Sequence, residues 1–157
     1  MSDQGFWDWA VAAYGAPGVG EACLHLQDAL GHNVPLLLWA AWTARTGRRP
    51  DADDIEAACD LARAWSTTTV EPLRAVRRAL KIATVDIADT DRLALREQVK
   101  AVELHAERVL MNGLGSLTPA PSGPPRPAID ALAEIAREWS GVVPRPALIQ
   151  LAERLPA

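Results

Sequence analysis

Val34-Pro35-Leu36-Leu37-Leu38-Trp39-Ala40-Ala41-Trp42-Thr43-Ala44 is the stretch on which the fold turns. Asn33 before it can cap a helix, Pro35 suits a first helical turn, and Gly47 and Pro50 close the segment. A helix built from these residues is apolar on every side, so it has no face to give to water and must be surrounded by other elements. Its 11 residues are too few for a bilayer, which takes about 20. Residues 34–46 therefore read as the central helix of a bundle, with Trp39 and Trp42 dry.

Working outward, 29 alanines and scattered rather than alternating β-branched residues favour helix and leave no convincing strand. A first helix is expected from about Asp3 to Tyr14, with Ser2 as its cap and Phe6, Trp9, Ala10 and Ala13 on one face. The second carries Val19, Cys23, Leu26 and Leu30 and stops at Gly31. Asp53 with Glu56 has the spacing of a capping box and opens a fourth helix, whose apolar positions run from Ile55 to Leu80. Pro72, following Thr67-Thr68-Thr69-Val70, predicts a kink or break at 67–71. A fifth helix, from about Thr90 to Met111, is expected to turn Leu95, Val99, Val102, Ala106 and Val109 inward and to end at Gly113.

Residues 113–127 hold five prolines and three glycines and read as a solvated connector. Beyond it, Ile129, Leu132, Ala136 and Trp139 form one apolar stripe, and Leu148, Leu151 and Leu155 another. Such short helices must dock on the body or on a partner. The expected class is all-α: a compact bundle of about five helices around the central one, plus a tethered C-terminal helical tail. Three segments are implied: a helical bundle domain (1–112), the connector (113–127) and the appendage (128–157).

The 157 residues carry a net charge of −4, which disfavours general binding to nucleic acid or an anionic bilayer. No membrane span is expected. Cys23 and Cys59 lie inside apolar helical patterns, where a free thiol acts as a small core hydrophobe. The N-terminus lacks the basic start and apolar run of an export signal. Together these predict a cytoplasmic protein.

One long motif is distinctive. Phe6-Trp7-x-Trp9 is followed by Tyr14-x-x-Pro17-Gly18-Val19-x-Glu21-Ala22-Cys23-Leu24-x-Leu26-Gln27-Asp28, and then by Gly31-x-Asn33-Val34-x-Leu36-Leu37-Leu38. With Trp65 to Lys81, this resembles an uncharacterised proteobacterial family of small helical proteins, known only as a domain of unknown function. The resemblance covers roughly residues 5–110 and implies no activity, cofactor or catalytic residue.

The chemistry-bearing residues give no catalytic set. Asp51-Ala-Asp53-Asp54 spells an aspartate-rich acid motif, and Asp86, Asp89 and Asp91 could suggest magnesium, but both clusters precede helices, where carboxylates cap backbone donors and complement the dipole. Cys23, His25, His32, Cys59 and His105 lack tetrahedral zinc spacing, and Cys23 and His25 point about 200° apart on a helix. No metal or cofactor is expected. Helices two and three could pass for a helix-turn-helix, yet the second offers only apolar side chains to base edges.

Two polar groups remain. Gln27, Asp28, His32 and Asn33 converge on the turn before the central helix, either tying that turn or anchoring a ligand's polar group. Arg74, Arg77, Arg78 and Lys81 lie on one side of a helix, in a segment of charge +3 that follows residues 51–70 of charge −4. They either pair with those acidic neighbours or present a docking surface. Five of the six tryptophans lie in the first 65 residues, and Trp7, Trp9 or Trp139 could be an exposed anchor. Pro124-Pro125-Arg126-Pro127 could serve as a polyproline ligand or as plain connector.

Two functions are therefore expected. The first is a non-catalytic protein that binds an unidentified protein partner through the basic face, the tail or both. The second is a small-ligand protein with an apolar or anionic ligand between Trp39 and Trp42 and with Arg74 or Asp28 as its polar handle. The oligomeric state is not legible.

Overall fold

The computed structural model describes residues 5–156, so the expected Ser2 cap and a helix start at Asp3 lie outside the described residues. The chain runs α1 (Phe6–Tyr14), α2 (Val19–Asp28), α3 (Val34–Arg45), α4 (Ala52–Trp65), a π-turn (Ser66–Val70), α5 (Glu71–Ala79), α6 (Asp89–Ser116), α7 (Ala128–Ser140) and α8 (Arg145–Arg154). Among the described residues there is no strand, and the only bridge is an isolated one between Arg48 and Pro121. No helix among them is long and apolar enough to cross a membrane.

Asn33 opens α3, its Oδ1 accepting the Leu36 N–H at 3.0 Å, with Pro35 in the first turn and Arg45 in the last to complement the dipole. Every residue from Pro35 to Ala44 is buried, Trp39 to 1% exposure and Trp42 to 4%. The indole N–H of Trp39 donates to Thr118 Oγ1 at 2.7 Å, and the Trp42 ring stacks on Phe6 with the Arg48 guanidinium 4.1 Å from its centroid. Helix α3 contacts α1, α2, α4, α6 and, most extensively, α7.

The tail is part of this core. Leu132, Ile135 and Ala136 of α7 and Leu148, Leu151 and Leu155 at α8 join the same apolar cluster as α3, and α8 also packs on α2. Docking on the body removes stripes that short helices could not otherwise keep out of water. The connector is shorter than expected, and most of it, including residues 120–125, is exposed as expected. Helix α6 continues past Gly113 to Ser116, which keeps Leu114 in the core. The N–H groups of Ser122 and Gly123 donate to Gly47 O at 2.9 and 3.1 Å, and that of Arg126 donates to Ala44 O at 2.9 Å. The carbonyl of Ala44, in the last turn of α3, and that of Gly47, just beyond it, thus anchor the proline-rich segment.

Local readings shift in four places. The capping box that opens α4 is Asp51 with Asp54, not Asp53 with Glu56: Asp51 is extended after Pro50, and the two carboxylates exchange bonds with each other's N–H at 2.8 and 2.9 Å. Helix α2 ends at Asp28, which leaves Leu30 exposed. The expected break before Pro72 is a π-turn, with Glu71 N–H bonded to Ser66 O. Pro72 has no N–H to offer the carbonyl of Thr68, and one wider turn lets the helix run on past that missing donor. Finally, α6 is rotated from its predicted face: Ala106 is buried as expected and Val99 half-buried, but Leu95, Val102 and Val109 are exposed, while Arg92, Glu103 and Leu110 are buried. The cause lies on α5.

Candidate functional site

Helix α5 buries no residue and packs mainly on α6 and the π-turn, forming an arm with the first half of α6. Arginines tie this arm together. Arg77 Nε donates to Glu103 Oε2 at 2.6 Å, Arg92 donates to Leu80 O at 2.6 Å and to Asp89 at 3.1 Å, and Arg96 Nε donates to Arg77 O at 3.3 Å. A carboxylate turned inward to meet two arginines outweighs the alternation of leucines and valines, because a half-buried cation left unpaired is costly. Rotation of α6 follows.

Between the arm and α1, α2 and the start of α3 lies a groove of about 700 Å³. Its apolar wall includes Trp7, Val11, Tyr14, Leu24 and Leu104, of which Val11, Tyr14, Leu24 and Leu104 are among the exposed large hydrophobics of the chain. Arg74, Arg77, Lys100, Glu103 and Glu107 make its charged side. A second cavity of about 260 Å³ adjoins it and shares Gln27, Val34, Pro35, Arg74 and Glu107. This recess is polar. His32, Asn33, Arg63, Ser66, Thr67 and Trp139 complete much of its wall.

The recess exists because three local features meet. Asn33 caps α3 with its Oδ1 and donates from Nδ2 to Ser66 Oγ at 3.0 Å, which fixes the π-turn to the turn before α3. Trp139 of the tail donates its indole N–H to Gly31 O at 2.9 Å, while the Arg63 guanidinium sits 4.4 Å from the Trp139 ring centroid and bonds its carbonyl at 2.9 Å. Burial lowers the pKa of His32, which favours the neutral ring. Glu107, on the wall between the cavities, has its pKa raised by burial first and by the neighbouring Glu103 second, against the pull of Arg74 and Arg77.

The sequence-derived candidates separate cleanly. Gln27, Asn33 and Arg74 are brought together at the recess, and Arg77 lies on the groove. Asp28 is exposed and accepts only a neighbour's bond, from Gln27 Nε2 at 3.2 Å. Trp39 and Trp42 are core and line neither cavity, so the walls assigned to them belong to Trp7, Tyr14, Leu24 and Leu104 instead. Arg78 and Lys81 are exposed outside the cleft. Arg74 and Arg77 meet Glu103 and Glu107 of α6 rather than the acidic run 51–70, since that run lies on α4 and caps its own helix. Glu103, Glu107, Arg63, Ser66 and Thr67 were missed as site residues; the polar run before Pro72 was the signal for the last two.

Residues 5–114 match the model of a family described as "Protein of unknown function (DUF2390)". No curated protein and no solved structure matches the chain. The matched span holds every groove residue and all of the recess except Trp139.

Proposed function

The chain belongs to this family of unknown function, and since membership brings no reaction with it, we propose from the geometry a non-catalytic binding protein for a small, largely apolar molecule. The observation that carries this reading is the groove of about 700 Å³ continuous with a polar recess, within the roughly 300–1,000 Å³ usual for small-molecule sites. Four exposed apolar side chains line it, and a ligand would remove them from water. In this reading the bundle arranged about α3 is the rigid wall and the arm is the movable one. Segments 1–112, 113–127 and 128–157 work as one unit, because Trp139 of the tail closes the recess.

Trp7 on the groove wall provides the readout. A panel of lipids, isoprenoids and aromatic acids is expected to include compounds that shift tryptophan emission saturably, and ligand at a hundred times its Kd adds about 2.7 kcal/mol of stability. Leu104→Glu should abolish both effects. A panel that leaves emission and Tm unmoved, or a Leu104→Glu variant that still responds, overturns the reading.

A second reading is docking of a protein partner on the arm. Its expected routes have narrowed, since Arg74 and Arg77 face Glu103 and the tail is packed on the body. What favours it is the outward apolar set on the arm, Ile82, Val85, Ile87, Leu93, Leu95 and Val102, with Val85 at 86% exposure. Affinity capture with wild type and with an Ile82→Ser/Val85→Ser variant tests it. Identical captured sets would remove the arm from consideration.

A further inference from the structure

The two arginines on the arm's inner face are held very differently. Arg77 is clamped to Glu103 at 2.6 Å, a short charge-assisted bond. Arg74 reaches the other carboxylate oxygen of the same Glu103 only at 3.4 Å, Gln27 Oε1 at 3.4 Å and Glu107 Oε1 at 4.0 Å. A guanidinium offers five donors in one plane, and contacts at these distances use them poorly. Arg74 also stands where groove and recess meet, on the wall of both. Its loose hold and its position coincide.

Charge along the cleft points the same way. Arg74, Arg77 and Lys100 face the groove against Glu103 and Glu107, an excess of one positive charge, while Arg63 and Glu71 balance in the recess. The protein as a whole carries −4, so this positive excess is local. Glu103 is shared between the two arginines, and burial, then the neighbouring Glu103, raises the pKa of Glu107 above its ordinary value.

Resting on the binding function above, we propose that the ligand is a single-chain monocarboxylate, its carboxylate paired with the fork of Arg74 at the mouth of the recess and its apolar chain lying along Leu24, Tyr14 and Leu104. A carboxylate matches the guanidinium plane with two parallel bonds, which a point cation would not require. One excess charge suits a monoanion; a dianion would meet Glu107 and Glu71 with its second charge uncompensated. Each methylene added within the groove tightens binding about fourfold until the wall is filled.

The test compares dodecanoate, dodecanol, dodecyl phosphate and dodecyltrimethylammonium on the full chain, by calorimetry and by tryptophan emission. Dodecanoate is expected to bind at least about tenfold tighter than dodecanol, and Arg74→Gln to bring the two within about twofold. Octanoate and decanoate should follow in order of length. Equal binding of dodecanoate and dodecanol by wild type would overturn the carboxylate assignment while leaving the groove standing; tighter binding of the phosphate or the ammonium would overturn it in favour of another head group. Binding of none of the four would remove the groove reading as well. Should Arg74→Gln fail to fold by circular dichroism, the wild-type ratio of acid to alcohol decides alone.

Discussion

Replacing Trp39 by alanine removes the largest fully buried side chain of the molecule, exposed to only 1%. A buried tryptophan hides about 150–250 Å², and at roughly 25 cal/mol per Å² that is an upper estimate of about 4–6 kcal/mol. Partial collapse of the site brings the expected loss to about 3–5 kcal/mol. The side chain also holds a hydrogen bond of 2.7 Å to Thr118 Oγ1, whose hydroxyl in turn donates to Leu114 O at 2.7 Å. Trp39→Phe isolates that link: most of the volume stays, Thr118 keeps its own bond, and the loss attributable to the missing hydrogen bond should be about 1 kcal/mol. Urea denaturation at equilibrium, followed by circular dichroism so that the lost chromophore does not matter, measures both. A Trp39→Ala loss below about 1 kcal/mol would mean that α3 is not a packed hub, since no buried aromatic of this size is truncated so lightly.

Gly47 has φ of 70°, and a Cβ there would run into the carbonyl of Gly123, so Gly47→Ala should cost about 2 kcal/mol or more and release the connector to proteolysis; unchanged Tm and protease resistance would contradict the docking of residues 121–126. Burial pushes the thiols of Cys23 and Cys59 up to about 12 and about 11, so neither should react with a disulfide reagent near neutral pH until the chain unfolds. Stoichiometric labelling of native protein at the denatured rate would refute it. Glu107 is raised in the folded state by burial and then by Glu103, so its contribution to stability is present below the unfolded value of roughly 4.3 and is lost as pH rises through the folded value. Glu107→Gln should flatten that part of the Tm profile; an unaltered slope would place the titration elsewhere.

Much of the fold was legible because its signals are local. The cap at Asn33, the proline in the first turn and the irregular turn before Pro72 each depend on a few neighbouring residues and stand where expected, whereas α2 stops at Asp28, short of Gly31. The candidate site was half legible for the same reason: Gln27 and Asn33 sit beside one turn. Arg74 joins them from 47 residues beyond Gln27, a distance over which periodicity carries no information. Nothing in the spacing of Glu103 and Glu107 marked them as partners of an arginine pair.

Sequence by itself determined that the chain is helical, that Trp39 and Trp42 must be dry, and where most turns fall, because apolar periodicity and backbone donors act within one or two turns. Tertiary structure decided which face α6 turns inward, where the tail packs, and which arginine is clamped while another is left loose at the mouth of a cleft. Those outcomes are competitions between distant groups, in which a buried ion pair can outweigh an apolar stripe, and only the packed arrangement sets the distances that choose the winner.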